Sequence, residues 1–95
     1  MAKRSKTRMS LSDAETLALQ ILGFLAEDGP RLSRFLNSTG VRTEELQSNA
    51  GEPAMLLAVT QHLLEDESLL LVFASHAGIA PEQVGQAHRL LGVQS

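Results

Sequence analysis

Residues 56–84, LLAVTQHLLEDESLLLVFASHAGIAPEQV, restate the pattern of residues 18–46, ALQILGFLAEDGPRLSRFLNSTGVRTEEL, at an offset of 38 and without a gap. Leu19, Leu25, Glu27, Asp28, Leu32, Phe35, Gly40 and Glu44 recur as Leu57, Leu63, Glu65, Asp66, Leu70, Phe73, Gly78 and Glu82, with Val41/Ile79 and Leu46/Val84 as conservative partners. Eight identities in those 29 positions exceed the roughly two or three that a leucine-rich composition gives by chance. Each copy reads as helix, Glu-Asp corner, helix, Gly-plus-aliphatic corner, helix. Neither copy can bury its apolar stripe alone. The expected fold is therefore all-α: a compact five- or six-helix bundle of two similar helical halves, packed with approximate two-fold symmetry. Capping rules acting on leucine-rich faces would also produce such a match by convergence.

Local signals divide the chain into helices. Ser12 followed by Glu15 reads as a capping box that opens the first helix, and Leu17, Ala18, Ile21, Leu22, Phe24 and Leu25 form its apolar face. Gly29-Pro30 interrupts, and Pro30 suits the first turn of a second helix, which Gly40 closes in the left-handed conformation. Asp28 and Asp66 are candidate caps for the helices that follow them. Thr43 reads as the cap of a short third helix ending near Gly51. Pro53 opens a fourth that carries Met55, Leu56, Val59, Leu63 and Leu64. The fifth, with LLLVFA at 69–74, is apolar almost all round and is expected at the centre. Gly78 ends it. Pro81-Glu82 starts a sixth with Val84, Ala87, Leu90 and Leu91 inward, and Gly92 is expected to stop it. No stretch shows the period-two alternation of a strand.

Composition bounds the function. Ninety-five residues, 43% hydrophobic and 20% charged, suit one soluble domain: a single helical domain over 12–95, preceded by a disordered basic tail over 1–11. The absence of cysteine excludes disulfides and thiolate zinc sites and fits a reducing cytoplasm. Basic MAKRSKTRMS lacks the apolar segment of a signal peptide, and LLLVFA is too short to span a bilayer. A cytoplasmic protein with no membrane association is expected. The net charge of −3 hides an asymmetry: Lys3, Arg4, Lys6 and Arg8 crowd the start, while the four later arginines against eleven acids leave the remainder at −7. An acidic body does not attract phosphate backbones.

The stretch FASHAGIAPEQV, residues 73–84, has a second reading. Ala74, Gly78, Ile79, Val84 and Ala87 fit the spacing of a DNA-reading helix-turn-helix. Its reading turn is Pro81-Glu82-Gln83, however, with Arg89 the only cation in the helix, and base edges need exposed Arg, Lys, Asn or Gln. The first copy breaks the pattern at Asn49. His62 and Asp66 share a helix face at metal-ligand spacing but lack a third ligand. His76 and His88 lie near helix ends. Ser12, Thr43 and Ser68 sit where backbone capping explains them. Glu27-Asp28 and Glu65-Asp66-Glu67 read as solvated corners, with nothing to split their pKa values for acid-base work. The glycines are scattered singly, so no phosphate loop forms. No catalytic, cofactor-binding or metal-ligating residue is assigned.

The segments ALQILGFLAED, LLEDESLLLVFA and GIAPEQV give the chain, over about residues 12 to 92, a resemblance to a small alphaproteobacterial family of domains of unknown function. That resemblance implies a bacterial, cytoplasmic, all-helical protein of about this length, and it carries over no site residue. The expected function is thus a non-enzymatic protein–protein interaction module that meets itself as a homodimer or another protein. The alternative is a helix-turn-helix DNA-binding regulator using residues 70–91.

Overall fold

The computed structural model describes residues 9–94. Residues 1–8, which hold most of the expected basic tail, lie outside the described residues. Six helices follow in order: α1 (Leu11–Ala26), α2 (Gly29–Thr39), α3 (Thr43–Ser48), α4 (Pro53–Leu64), α5 (Glu67–Ala77) and α6 (Glu82–Gln94), with no strand among the described residues.

The corners obey the local chemistry. Asp28 and Asp66 each accept the backbone N–H three residues on, from Arg31 at 3.2 Å and Leu69 at 3.2 Å, so each caps the helix it precedes. Pro30 and Pro53 occupy first-turn positions. Gly40 and Gly78 stand at φ 76° and 71°, the left-handed region that L-residues with a Cβ avoid. Their helix ends differ in detail. The Ile79 N–H reaches back to the Ala74 carbonyl at 3.0 Å, the long bond of a Schellman stop. At the first end the Val41 N–H goes instead to the Thr39 hydroxyl at 3.2 Å.

Four expectations are corrected. The box that opens α1 is Ser10 with Asp13, not Ser12 with Glu15: the Asp13 N–H donates to Ser10 Oγ at 3.0 Å and the Ser10 N–H to Asp13 Oδ2 at 3.1 Å. Both serines satisfy the spacing, but the earlier start brings Ala14 into the core and lets Met9 pack against it. Thr43 is the first residue of α3 rather than its cap. Arg42 precedes it, and its N–H is held by Glu45 Oε1 at 3.0 Å. Gly92 does not stop α6, which runs on to Gln94: its φ does not turn positive as those of Gly40 and Gly78 do.

The fourth correction concerns the centre. α5 does not occupy it. α1, α4 and α6 pack mutually, and their contacts are the most extensive in the molecule. α1 buries Ala14, Leu17, Ala18, Ile21, Phe24 and Leu25, α4 buries Met55, Leu56, Val59, Thr60 and Leu63, and α6 adds Val84, Ala87 and Leu91. Full burial of each large aliphatic here is worth roughly 1.5–3 kcal/mol. α2 and α5 flank this trio, each anchored by a phenylalanine: Phe35 is 0% and Phe73 1% exposed. α3 has six residues and buries none of them, so its role differs from that of the thirteen-residue α6 at the matching place in the sequence.

Candidate functional site

α5 leaves an apolar stripe in solvent. It packs along α4 and buries Leu69, Phe73 and Ala74, which all point to one side. The opposite side presents Ser68, Leu71, Val72 and Ser75 at the i, i+3, i+4, i+7 spacing of one helix face; Leu71 is 49% and Val72 48% exposed. Two adjacent half-exposed aliphatics between serines, with no charge among them, are unlike the rest of this acidic surface. Among the described residues, Leu11, Leu19, Leu64 and Val93 are the other large apolar residues left open, none of them beside another in sequence.

Next to the stripe, Val72 is followed one turn later by His76, and His76 borders a groove. The groove holds about 300 Å³ and lies between the last turns of α1 and α5, lined by Gln20, Gly23, Phe24, Glu27, Phe73, His76 and Ala77. Its floor is aromatic. Phe24 meets Phe73 edge-on at 5.3 Å between centroids and at 66°, and the His76 ring lies 5.7 Å from Phe24. The Arg31 guanidinium stands 4.3 Å above the Phe24 ring, a cation–π contact, and is 3.8 Å from Asp28.

Gly23 lines the open wall of the groove. A Cβ built there would meet nothing within 4 Å, and a mid-helix glycine costs roughly 1 kcal/mol against alanine, so neither packing nor local stability asks for it. The corresponding position 38 residues on is Gln61, whose amide donates to Glu65 Oε2 at 2.7 Å. Glu27, the counterpart of Glu65, has no side-chain hydrogen bond among the described residues. The ring contacts of the two regions also correspond. His62, the counterpart of Phe24, meets Phe35 edge-on at 5.3 Å and 78°, as Phe24 meets Phe73. Ser38, the counterpart of His76, lies with its Oγ 3.2 Å from His62 Nδ1. A second hollow of about 260 Å³, between α3 and α4, is lined by Val41, Glu45, Asn49, Glu52, Ala54, Met55 and Ala58.

The histidines are structural neighbours rather than a ligand set. Among the described residues no three His, Cys, Asp or Glu gather where a metal ion could be held. Asp66 faces its own helix as a cap. The His62 imidazole is held below its usual pKa of 6.5, chiefly because burial disfavours the cation, while Asp66 and Glu65 pull it upward and Arg34 adds a further lowering. His88 was read as a helix-end residue. It lies within α6, and its Nδ1 is 2.9 Å from Oγ1 of the fully buried Thr60. That pairing across 28 residues leaves no local trace, so sequence patterning could not find it. Gly23 did have a signal: a glycine in a helical run for which no corner accounts.

All five helix-turn-helix positions take part in the corner. Ala74, Val84 and Ala87 are buried, Gly78 is left-handed, and Ile79 packs against the core from a half-buried site. The side that would read bases is sparse. Gln83 Oε1 is turned back to accept the Ala80 N–H at 3.1 Å, and Glu82, Gln86 and Arg89 form the exposed strip. α6 lies against α1 and α4.

No helix among the described residues is long and apolar enough to cross a membrane. A family model described as "Protein of unknown function (DUF3572)" matches residues 11–94, and the chain belongs to that family. No curated protein and no solved structure matches the chain.

Proposed function

We propose that this member of the DUF3572 family is a non-enzymatic protein–protein interaction module that engages its partner through the outer side of α5. One observation carries the reading: a helix whose sequence is apolar almost all round sits at the edge of the fold, with Leu71 and Val72 nearly half exposed. Exposed apolar residues that adjoin one another on a small acidic domain mark contact surfaces. The paired corners at Asp28/Asp66 and Gly40/Gly78 and the matching edge-on contacts support an origin of the scaffold by duplication of one helical unit, with the two copies then specialised at Gly23 and Gln61. A cytoplasmic setting is in keeping with the cysteine-free sequence.

A photo-reactive residue placed at Val72, compared with one at Gln86 on α6, tests the reading in cells that make the protein. Cross-links to protein at position 72 and not at 86 are expected, and equal or absent labelling at both would overturn it. The second reading, a DNA-binding regulator using residues 70–91, rests on the placement of Ala74, Gly78, Ile79, Val84 and Ala87. Fluorescence anisotropy with duplex DNA at low salt decides it. Binding that Arg89→Ala and Gln86→Ala weaken would favour it, whereas binding lost only on deleting residues 1–10 would not.

A further inference from the structure

We infer that residues 41–50 form a strap that swings away from α4 as one unit about Gly40 and Gly51, while the other five helices stay assembled. Its opening uncovers Met55. The inference does not depend on which face of the fold meets a partner.

The strap holds its own shape. α3 has six residues, well below the roughly 12–15 at which an isolated helix becomes even marginal, yet it is tied internally. The Arg42 N–H donates to Glu45 Oε1 at 3.0 Å. The Leu46 and Asn49 N–H groups reach the Arg42 and Glu45 carbonyls at 3.0 and 2.8 Å. Glu44 and Glu45 stand in its first turn, where the helix dipole favours acids.

Its attachment to the rest of the molecule is slight. None of the extensive helix–helix contacts among the described residues involves α3. The large apolar anchors of the segment are Val41 and Leu46, each only half-buried against the core. Among the described residues, hydrogen bonds leave the strap only at its two ends. The Val41 N–H donates to the Thr39 hydroxyl at 3.2 Å, and the Glu52 N–H to the Asn49 carbonyl at 3.0 Å. Beneath it lies the hollow of about 260 Å³, with Val41, Glu45 and Asn49 on the strap side and Met55 and Ala58 on α4. Side chains facing such a gap forfeit the dispersion contacts of a close-packed interior. Met55 is 7% exposed, so it is shielded while the strap is down. Both ends can turn. Gly40 is left-handed at φ 76°, Gly51 is exposed with open space around it, and hinges are a few element-terminal residues of this kind. A segment with so few buried contacts opens more readily than the core it rests on.

Native-state hydrogen exchange in rising, sub-denaturing guanidinium, followed by NMR, tests the strap. The amides of Leu46 and Asn49 should exchange faster than those of Val59 and Leu63 in α4, and through one common opening. Leu46→Ala should speed both strap amides by the same factor, about tenfold. Val84→Ala in α6 should speed the α4 amides and leave the strap amides unchanged. In this cysteine-free chain, thiol labelling of Met55→Cys should accelerate by that same factor when Leu46→Ala is added. Unequal responses at 46 and 49 mean residue-by-residue fraying, and strap amides that follow Val84→Ala mean opening only with the whole fold. Labelling at 55 that ignores Leu46→Ala means that the strap does not cover it. Each of these three results overturns the inference.

Discussion

Thr60 and His88 form a buried polar seam between α4 and α6, with Thr60 Oγ1 2.9 Å from His88 Nδ1. The threonine hydroxyl also lies 2.9 Å from the Leu57 carbonyl and 3.2 Å from that of Leu56. It has a single proton to give, and the carbonyls accept it. His88 Nδ1 must then carry a hydrogen and donate to the threonine, which fixes the tautomer.

Thr60→Val removes the acceptor from a fully buried site and strands the His88 N–H. A loss of about 1–2 kcal/mol is expected in urea unfolding. Thr60→Ser keeps the hydroxyl and gives up one methyl, so it should cost about 1 kcal/mol and retain the coupling. In a double-mutant cycle with His88→Leu, Thr60→Val should show an interaction energy of about 1 kcal/mol, and an additive pair would refute the seam.

His62 predicts the acid side of the stability profile. Its native pKa lies below the ordinary 6.5, mainly through burial against Phe35 and despite the pull of Asp66 and Glu65. The unfolded chain therefore takes up a proton before the native one does. The contribution of His62 is intact above pH 6.5, erodes as the pH drops through that value, and is fully lost below the lowered native pKa. Unfolding midpoints measured between about pH 8 and pH 5 should fall, and His62→Phe, which places at 62 the ring found at position 24, should flatten that fall.

Gly78 and Gly23 should respond oppositely to alanine. At φ 71° a Cβ is forced into the left-handed region, so Gly78→Ala should cost about 1–2 kcal/mol. Gly23 is inside a helix with open space around it, and Gly23→Ala should add up to about 1 kcal/mol. Thermal melts of the two variants, read against the parent, give opposite shifts if this is right.

Phe35 and Phe73 anchor the two flanking helices. Truncating either to alanine should cost about 3–5 kcal/mol, a large share of the 5–15 kcal/mol that holds a domain of ordinary stability. Broadened amide spectra and loss of a cooperative melt are the expected readout. A sharp, near-parental transition in both variants would contradict the burial described.

The corners were the legible part of this fold, because each is a local bargain between a side chain and nearby backbone. Asp28, Pro30, Gly40, Pro53, Asp66 and Gly78 can be read without knowing what lies across the core. Burial of Phe35 and Phe73 was legible as well, since an aromatic in an apolar helix face has few other places to go. The start of α1 was not, because Ser10 and Ser12 both stand three residues before an acid and only the packing of Ala14 separates them. Periodicity placed α5 at the centre. It records how apolar a helix is, not which neighbours reach it, and α1 with its six buried residues holds that place. The groove beside Gly23 was half visible, in a glycine without a corner. The Thr60–His88 pairing was invisible, because its two members meet only in three dimensions.

The marginal seat of α5 has a temporal consequence. Few contacts tie it down, chiefly buried Leu69, Phe73 and Ala74 with Leu70 partly buried beside them, so it can detach while the α1–α4–α6 trio stays assembled, and its amide protons should trade with deuterium well before those of α4. Anything that covers Leu71 and Val72 closes that escape route. The exchange clock of a single helix would then report, without any label, whether the outer side of the molecule is occupied.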